Sequence, residues 1–326
     1  MRRTKFLTIA ALAFLCSSLS SHAQLSPSDK EKIRLINSYG KFDNWCVREI
    51  KESGAIGGKT KYLYEFFGNQ DTLRTGKTPF TSPKDYLWRT NNVLAIVAGI
   101  TKTNNTVFPE KRGEGYCARI ETHIEDVKVI GIINMDVTCQ GALLVGTLPE
   151  PIRDTKDPLG KVFYGIPFNG RPKALKFDYK ADVGHEIIRG TGFSKLKPMG
   201  TPDYPIISII LQKRWEDEEG NIHALRVGQG IEIVKKNAPD WVNGHMVEVV
   251  YGNPTSNPAY SLNTTEDTAL HALNSKGKNV VILEDGWASA DEIPTHMIIS
   301  FLSSCSKAFY GGVGNTLWID NVEVVM

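Results

Sequence analysis

The stretch Leu175-Lys176-Phe177-Asp178-Tyr179-Lys180 alternates apolar and charged side chains at every position. A period of two residues is typical of a β-strand with one buried face and one solvated face. We therefore predict that the three apolar side chains lie in a core and that the three charged ones face solvent. The stretch Tyr116-Cys117-Ala118-Arg119-Ile120-Glu121-Thr122 alternates in a similar way, with Arg119 and Glu121 on its polar side.

Short runs of the same kind recur along most of the chain, between clusters of Gly, Pro, Asn and Asp. Many short strands without intervening helical patterns predict an all-β fold, a sandwich of two antiparallel sheets. The predicted strands cover residues 116–123, 127–135, 141–147, 161–168, 174–180, 206–212, 222–227, 246–251, 280–283, 297–303 and 316–325.

Three segments give more local expectations. Residues 206–211 are apolar on both faces, apart from one serine, as expected of a central strand covered on both sides. In the last strand the apolar phase shifts between Ile319 and Val322, which predicts a β-bulge near Asp320. A helix is predicted over residues 28–38, with Ser28 as its N-cap.

The first twenty-three residues have the features of a signal peptide. Three basic residues precede an apolar run over 6–16, and Ser21-His22-Ala23 supplies small residues at the positions before a cut. We therefore predict cleavage before Gln24 and export to the periplasm, the cell surface or the medium. No later run approaches the roughly twenty apolar residues of a membrane-spanning helix, so no transmembrane segment is predicted.

Charge and cysteine content exclude several classes of protein. The formal charge is +2, and loss of the three basic leader residues changes it to −1, which gives no basis for nucleic-acid binding. The remaining cysteines, Cys46, Cys117, Cys139 and Cys305, lack the short spacings of zinc or redox motifs, so disulfides and buried thiols stay as alternatives. The histidines are scattered, which argues against a transition-metal site.

Several stretches carry a family resemblance. They are FDNW (42–45), GYCARIETH (115–123), QGALLVGTL (140–148), GIPFNGRPKALKFDYKAD (165–182) and IISFLSSCSKAFYGGVGNTLWIDNVEVV (298–325). Together they resemble the putative carbohydrate metabolism domain family of secreted bacterial proteins. The resemblance implies a jelly-roll β-sandwich similar to carbohydrate-binding modules and some glycoside hydrolases. It divides the chain into a signal peptide (1–23), an N-terminal lead (24–34) and the jelly roll (35–326).

The resemblance also raises the question of calcium. Similar carbohydrate-binding jelly rolls often join their first and last strands through a structural Ca²⁺, and Asp43 in FDNW and Asp320 in WIDNV occupy similar places. Carboxylate oxygens from distant segments suit that ion. In the alternative interpretation, Asp320 caps the bulge and Asp43 caps a turn.

Candidate catalytic residues follow from the chemistry of glycoside hydrolysis, which needs two carboxyl groups about 5 to 9.5 Å apart. Glu121 and Asp178 are the candidates, because each lies on the polar side of a predicted strand. The alternative for each is a cross-strand ion pair with Arg119 or Lys176. The acidic run over residues 216–219 is interpreted as a solvated hairpin tip.

Sugar binding requires exposed aromatic rings and planar hydrogen-bonding groups. Trp88 and Trp241 have polar or turn-like neighbours, so we expect them to be exposed and to contact ligand, whereas Trp215 and Trp318 are expected in core or rim positions. Arg171 precedes a proline at a strand entrance, where it holds a ligand or braces the loop. Arg119 and Lys176 complete the predicted ligand-binding set.

The sequence thus favours an exported protein that recognises a glycan on a sheet face, in polysaccharide utilisation. Two alternatives remain open, namely a glycoside hydrolase with a carboxylate pair and a structural envelope or adhesion subunit. Two hydrolytically spaced carboxylates in a groove would favour the enzyme, and exposed aromatic rings without that pair would favour binding.

Overall fold

The structure, a computed structural model, describes residues 25–66, 71–81, 83, 85–129, 133–154, 159–254 and 270–326. The predicted leader and its cleavage point lie outside these residues. Within the described ranges, no helix is both long and apolar enough to cross a bilayer.

Among the described residues, one α-helix, α1, spans Pro27–Tyr39, and two 3-10 turns span Gly54–Ile56 and Leu159–Lys161. The strands in the first half are β1 (Trp45–Lys51), β2 (Thr60–Phe66), β3 (Thr72–Thr75), β4 (Trp88–Thr90), β5 (Val93–Val97), β6 (Ile100–Asn104), β7 (Val107–Arg112), β8 (Gly115–Glu121), β9 (His123–Val129), β10 (Ile133–Cys139), β11 (Ala142–Thr147), β12 (Phe163–Tyr164) and β13 (Ile166–Pro167). Those in the second half are β14 (Ala174–Asp182), β15 (Glu186–Arg189), β16 (Lys197–Pro202), β17 (Ile206–Glu216), β18 (Ile222–Ile233), β19 (Ala238–Glu248), β20 (Val250–Tyr251), β21 (His271–Leu273), β22 (Asn279–Trp287), β23 (His296–Leu302), β24 (Tyr310–Gly312) and β25 (Thr316–Val325).

Two sheets form a sandwich. The smaller one has five strands in the order β19-β14-β25-β8-β7. The larger one runs β13-β23-β17-β18-β22-β21-β12-β11-β4, with β20 beside β18, and β11 also pairs with β23. The predicted all-β sandwich is confirmed. The jelly-roll arrangement stays a prediction, as does the boundary between residues 34 and 35, which falls inside α1.

The core lies between these two sheets. Leu175 and Phe177 project from β14, and Ile207, Ile209 and Phe301 face them from the large sheet, all with no solvent exposure. Phe177 and Phe301 meet edge to face with ring centroids 5.3 Å apart. The buried half of the β14 prediction is confirmed for Leu175 and Phe177. Tyr179 is half-buried against the same core.

Asp178 corrects the other half of that prediction. We expected it to face solvent, but the residue is only 8% exposed. Its carboxylate accepts hydrogen bonds from Arg112, Asn321 and the backbone N–H of Gly244, and these donors cover it. The alternation correctly predicted that Asp178 lies on the face of β14 opposite the core. It could not predict which donor groups cover that face. Lys176 is half-buried.

The predicted bulge in the last strand is confirmed. Lys176 pairs with Glu323, whereas Asp178 pairs with Asp320, so β25 holds one extra residue between these two rungs. Asn321 adopts a positive φ of 49° there, a conformation that asparagine tolerates better than most residues. The bulge lets Ile319 and Val322 both enter the core, where each is fully buried.

The helix and central-strand predictions are also confirmed, with one correction at the helix start. The N-cap is Ser26 rather than Ser28, because the Ser26 hydroxyl accepts from the backbone N–H of Asp29 at 3.0 Å. Strand β17 lies between β18 and β23 in the sheet. Its Ile207, Ile209 and Leu211 are buried in the main core, and Ile210 is buried in a second apolar cluster.

All four described cysteines are free thiols. Cys46 and Cys117 are buried in strands, Cys139 is half-buried at the end of β10, and Cys305 is exposed. Of the two alternatives from the sequence, the structure therefore contains thiols, with Cys305 outside the core.

Candidate functional site

The outer face of the five-stranded sheet brings several predicted site residues together. Asp178 on β14 and Asp320 on β25 are direct cross-strand partners. Arg112, at the end of β7, reaches both of them. Its Nη2 donates to Asp178 Oδ2 at 2.8 Å and its Nη1 donates to Asp320 Oδ2 at 2.6 Å. One guanidinium therefore bridges two carboxylates that would otherwise repel each other across the strands.

The two carboxylates differ in their pKa. Burial alone would raise the pKa of Asp178, but hydrogen bonds from Asn321, Gly244 and Arg112 lower it below its usual value. For Asp320, burial outweighs the contacts with Arg112 and Asn321 and raises its pKa. The pair thus joins one strongly ionised carboxylate to one that takes up a proton more readily.

Aromatic rings flank this charged cluster. The indole of Trp241 on β19 stacks on Arg112, with the guanidinium carbon 3.8 Å from the ring centroid. The ammonium of Lys180 lies 5.6 Å from the Trp241 centroid and 4.6 Å from that of Trp318. Both indoles are half-buried, as the edge of a sheet-face platform would be. The side-chain amide oxygen of Asn243 also accepts from Arg112, at 2.7 Å.

Arg119 and Glu121 lie farther along the same face, on β8. Arg119 pairs with Trp318 across the strands and stacks on Phe108 with its guanidinium carbon 4.4 Å from the centroid. Its guanidinium donates to Glu121 and forms a 3.0 Å ion pair with Glu110. Glu121 is thus held in an ion pair, as the alternative interpretation expected, but its partner Arg119 lies on the same strand rather than across the sheet.

The register sets Glu121 and Asp178 well apart. Glu121 pairs with Thr316, which pairs with Asp182 on β14, four residues from Asp178. Two strand spacings and four residues of rise place the Cα atoms about 16 Å apart. The two residues are therefore not neighbours on the sheet face, whereas the ~9.5 Å limit of a hydrolytic pair applies to the carboxyl groups themselves. A catalytic role for either residue stays a prediction, and the carboxylate next to Asp178 is Asp320.

Lys176 and Arg171 do not join the cluster. Lys176 forms a 3.0 Å ion pair with Glu323, and the two side chains are 40% and 48% exposed. Arg171 donates to the backbone oxygens of Ala290 and Glu292 and stacks on Tyr251 at 3.9 Å. Arg171 therefore braces a loop, as in one of the two interpretations of the sequence.

The exposure predicted for Trp88 is wrong. Its residue is 1% exposed, and the indole packs edge to face on Phe42 with centroids 5.3 Å apart. Its Nε1 donates to the backbone oxygen of Ile36 in α1 at 3.0 Å. The polar neighbours that suggested a loop are themselves buried beside it, so Trp88 belongs to the core.

The two predicted calcium ligands each contact protein donors. Asp43 Oδ1 accepts from the backbone N–H of Tyr116 at 3.1 Å, and Asp320 is held by Arg112 and by the N–H of Asn321. Among the described residues, no group of three or more His, Cys, Asp or Glu side chains could hold a metal ion. These two residues alone do not fit the six to eight oxygens that Ca²⁺ takes. Calcium at this place stays a prediction.

A large cavity lies on the other sheet, away from the predicted residues. Its volume is about 600 Å³. Aliphatic side chains dominate its wall, and none of its described lining residues is a tryptophan. At its edge Arg226 donates twice to Glu284, and Gln212 donates to the same carboxylate at 2.6 Å. The lining also includes the aromatic residues Tyr164, Phe193 and Phe309 and polar side chains such as Gln140 and Lys161, but none of the site residues predicted from the sequence.

Sequence reasoning missed Arg112 and Asn243, which complete the cluster on the outer face. Arg112 is the last residue of β7, and Asn243 lies in the middle of β19, two residues after Trp241. The sequence did contain one indication of a partner cation. Asp178 and Asp320 are acidic residues on two strands that were both predicted to border a core. Two such carboxylates on adjacent strands require a cation nearby.

Comparison with known proteins gives the family. Residues 42–325, which include both sheets of the sandwich, match the family described as putative carbohydrate metabolism domain. The chain belongs to this family. The resemblance from FDNW onward is thereby confirmed.

Two solved structures are similar to this member of the family. A putative glycoside hydrolase from Bacteroides thetaiotaomicron is 16% identical, with 82% of this chain and 81% of that chain covered at a TM-score of 0.43. A putative glycoside hydrolase from Bacteroides vulgatus is 15% identical, with 87% and 96% covered at a TM-score of 0.44. No curated protein matches the chain.

Proposed function

We propose that this protein binds a glycan on the outer face of the five-stranded sheet, with Trp241 as the main contact. Family membership supports a role related to carbohydrate. The observation that carries the proposal is the stacking of Trp241 on Arg112, beside Asp178 and Asn243. That contact fixes an indole next to planar donors and acceptors on a sheet surface.

This arrangement suits the two faces of a pyranose. The C–H side of a sugar ring packs on an indole, and its hydroxyls pair with carboxylate, amide and guanidinium groups. Asn243 is exposed and offers its side-chain amide, and Lys180 lies between Trp241 and Trp318. The covered carboxylate of Asp178 holds Arg112 against the Trp241 ring. A short oligosaccharide can therefore run from Trp241 towards Trp318 along the sheet face.

Hydrolysis is the second candidate, and the Asp178–Asp320 pair favours it. Two carboxyl groups whose surroundings push their pKa values in opposite directions are the usual acid and base of a glycosidase. Arg112 keeps the pair within the ~9.5 Å that such enzymes use.

Binding is nevertheless the better-supported function. Arg112 donates to both carboxylates, and Asp178 also accepts from Asn321 and Gly244. Before Asp320 could deliver a proton to a glycosidic oxygen, Arg112 would have to leave it. A noncatalytic module keeps this network intact and uses it to position Trp241.

The predicted leader adds a location to the proposal, namely recognition of polysaccharide outside the cytoplasm. A structural envelope or adhesion subunit would use the same sandwich without a sugar site. Its partner-binding surface would be apolar rather than charged.

A glycan array with the mature protein, followed by a release assay on each bound glycan, tests the proposal. We expect binding without release of reducing sugar, and the same result with Asp178→Asn apart from a change in affinity. Release by the wild-type protein that Asp178→Asn abolishes would establish the hydrolase instead. Absence of binding to any glycan would contradict both carbohydrate functions.

A further inference from the structure

The β17–β18 hairpin carries an aromatic surface that the proposed site does not use. Strand β17 pairs with β23 only from Ile206 to Gln212, and its last residues continue in the hairpin with β18. Leu211, on one face of β17, is fully buried. Trp215, four residues later on the same face, is 44% exposed. The opposing sheet therefore no longer covers this face at the end of the hairpin, and of the two positions expected for Trp215, core or rim, the core is excluded.

The exposed indole is held in a fixed orientation. Trp215 and His223 are cross-strand partners, and their rings stack with centroids 5.5 Å apart and planes 13° from parallel. Asp285 Oδ2 lies 2.8 Å from His223 Nδ1, and Asp217 Oδ2 lies 3.2 Å from its Nε2. Two carboxylates on separate elements thus clamp the imidazole in its plane. Because the imidazole covers one face of the indole, the exposed area belongs to the opposite face and the edges.

The surface extends onto a third strand. Leu283 on β22 pairs with His223 and is 43% exposed. Trp215, His223 and Leu283 therefore form a row across β17, β18 and β22, which we call the hairpin platform. Asp285 lies beside it with a well-exposed side chain, and its Oδ1 accepts from none of the described residues. The platform thus combines a flat apolar surface with an open acceptor at its side.

Charge around the platform selects against acidic ligands. Residues 216–219 are all acidic, and Asp285 adds a further carboxylate. The nearby cation Lys213 forms a 3.1 Å ion pair with Glu292. Lys276 lies near Glu216 and offsets part of this charge. A glycan that carries uronate or sulfate groups would still meet an excess of carboxylates here, whereas neutral hydroxyls would find acceptors.

We propose that the hairpin platform is a second sugar-binding site, which stacks a neutral pyranose ring on the open face of Trp215 and accepts its hydroxyl hydrogens at Asp285. This inference rests on the proposed function, because it assumes that the protein binds glycans. The hairpin platform nevertheless lies on the larger sheet and shares no residue with the site on the five-stranded sheet. A protein with two such platforms would hold a polysaccharide chain at two points, and its avidity would exceed the affinity of either site.

The test compares Trp215→Ala, Trp215→Phe and Trp241→Ala with the wild type on an array of neutral and uronate-containing oligosaccharides. Trp215→Ala should weaken binding to neutral glycans by about two- to tenfold, and Trp215→Phe should restore part of the loss. Wild-type binding confined to uronate-containing glycans would overturn the proposal. Equal binding by Trp215→Ala and the wild type would overturn it as well, whereas equal binding by Trp241→Ala would instead overturn the function proposed for the five-stranded sheet.

A second measurement does not depend on the stability of the variants. Wild-type protein labelled with 5-fluorotryptophan gives one ¹⁹F resonance for each of its six tryptophans, and Trp215→Phe assigns the one from Trp215. Saturation with the best neutral oligosaccharide from the array should shift that resonance. An unchanged Trp215 resonance under saturation would overturn the proposal, as would the absence of any bound neutral glycan.

Discussion

Asp178 and Asp320 face each other on adjacent antiparallel strands, and the guanidinium of Arg112 binds both carboxylates. Like charges directly opposite each other in a sheet are destabilising, so this pair persists only with its cation. Arg112 comes from β7, which lies at the edge of the same sheet. The contact therefore joins three strands and also supports Trp241, so the stability of the sheet and the shape of the proposed site depend on the same residue.

Replacement of Arg112 by alanine should destabilise the protein by about 2 kcal/mol, because hydrogen bonds to charged groups are lost and two carboxylates are left facing each other. Urea unfolding at neutral pH measures the change. Asp178 has a lowered pKa, so its contribution to stability is present above its unfolded value of 3.8 and is lost as the pH falls through the folded value. The difference between the variant and the wild type should therefore shrink in acid, and a difference that grew there would contradict this account.

His296 should make the fold sensitive to mild acid. Burial, with Arg214 and Lys32 nearby, lowers its pKa from 6.5 to about 3. The unfolded chain then binds more protons between these values, so stability should fall as the pH drops from 6.5 towards 3. Melting temperatures of His296→Gln across this range should show a flatter profile than those of the wild type. Parallel profiles would show that His296 is already charged in the folded protein.

Glu65 should act in the opposite direction. Burial raises its pKa from 4.5 to about 7, and Arg89 offsets only part of that effect. The folded protein then binds more protons than the unfolded chain between pH 4.5 and 7, so this residue makes stability fall as the pH rises through that window. Glu65→Gln keeps an oxygen for the N–H groups of Phe66 and Thr90 and removes the titration. Its unfolding free energy should exceed that of the wild type more at pH 7 than at pH 4.5, and the reverse order would contradict the assignment.

The alternation of side chains predicted much of the fold, because a strand face depends on local sequence. Leu175 and Phe177 are buried as predicted, and the shift of the apolar pattern before Val322 correctly predicted the position of the bulge. The burial of Asp178 could not be predicted in this way. Its partner Arg112 lies 66 residues away in the chain, and only the strand order β14-β25-β8-β7 brings it within reach.

The exposure of the tryptophans could not be predicted from local sequence either. Trp88 and Trp241 have similarly polar neighbours in the sequence, yet Trp88 is buried by a helix 52 residues away and Trp241 lies on a sheet surface. Trp215 sits in a strand, as a core residue would, but the opposing sheet ends before it. Exposure of a large side chain depends on where the other layer stops, and that is a property of the whole fold.

The affinity of Trp241→Ala for a glycan bound by the wild type tests the central claim most directly. Phe193→Ala is the matched control, since Phe193 is 86% exposed and lies outside both proposed sites. Loss of the indole should weaken binding by about 1 to 3 kcal/mol in isothermal titration calorimetry, with a nearly unchanged melting temperature. The control should bind as the wild type does. Unchanged affinity of Trp241→Ala, together with a large fall in its melting temperature, would show that Trp241 only packs on Arg112 and would contradict the proposed site.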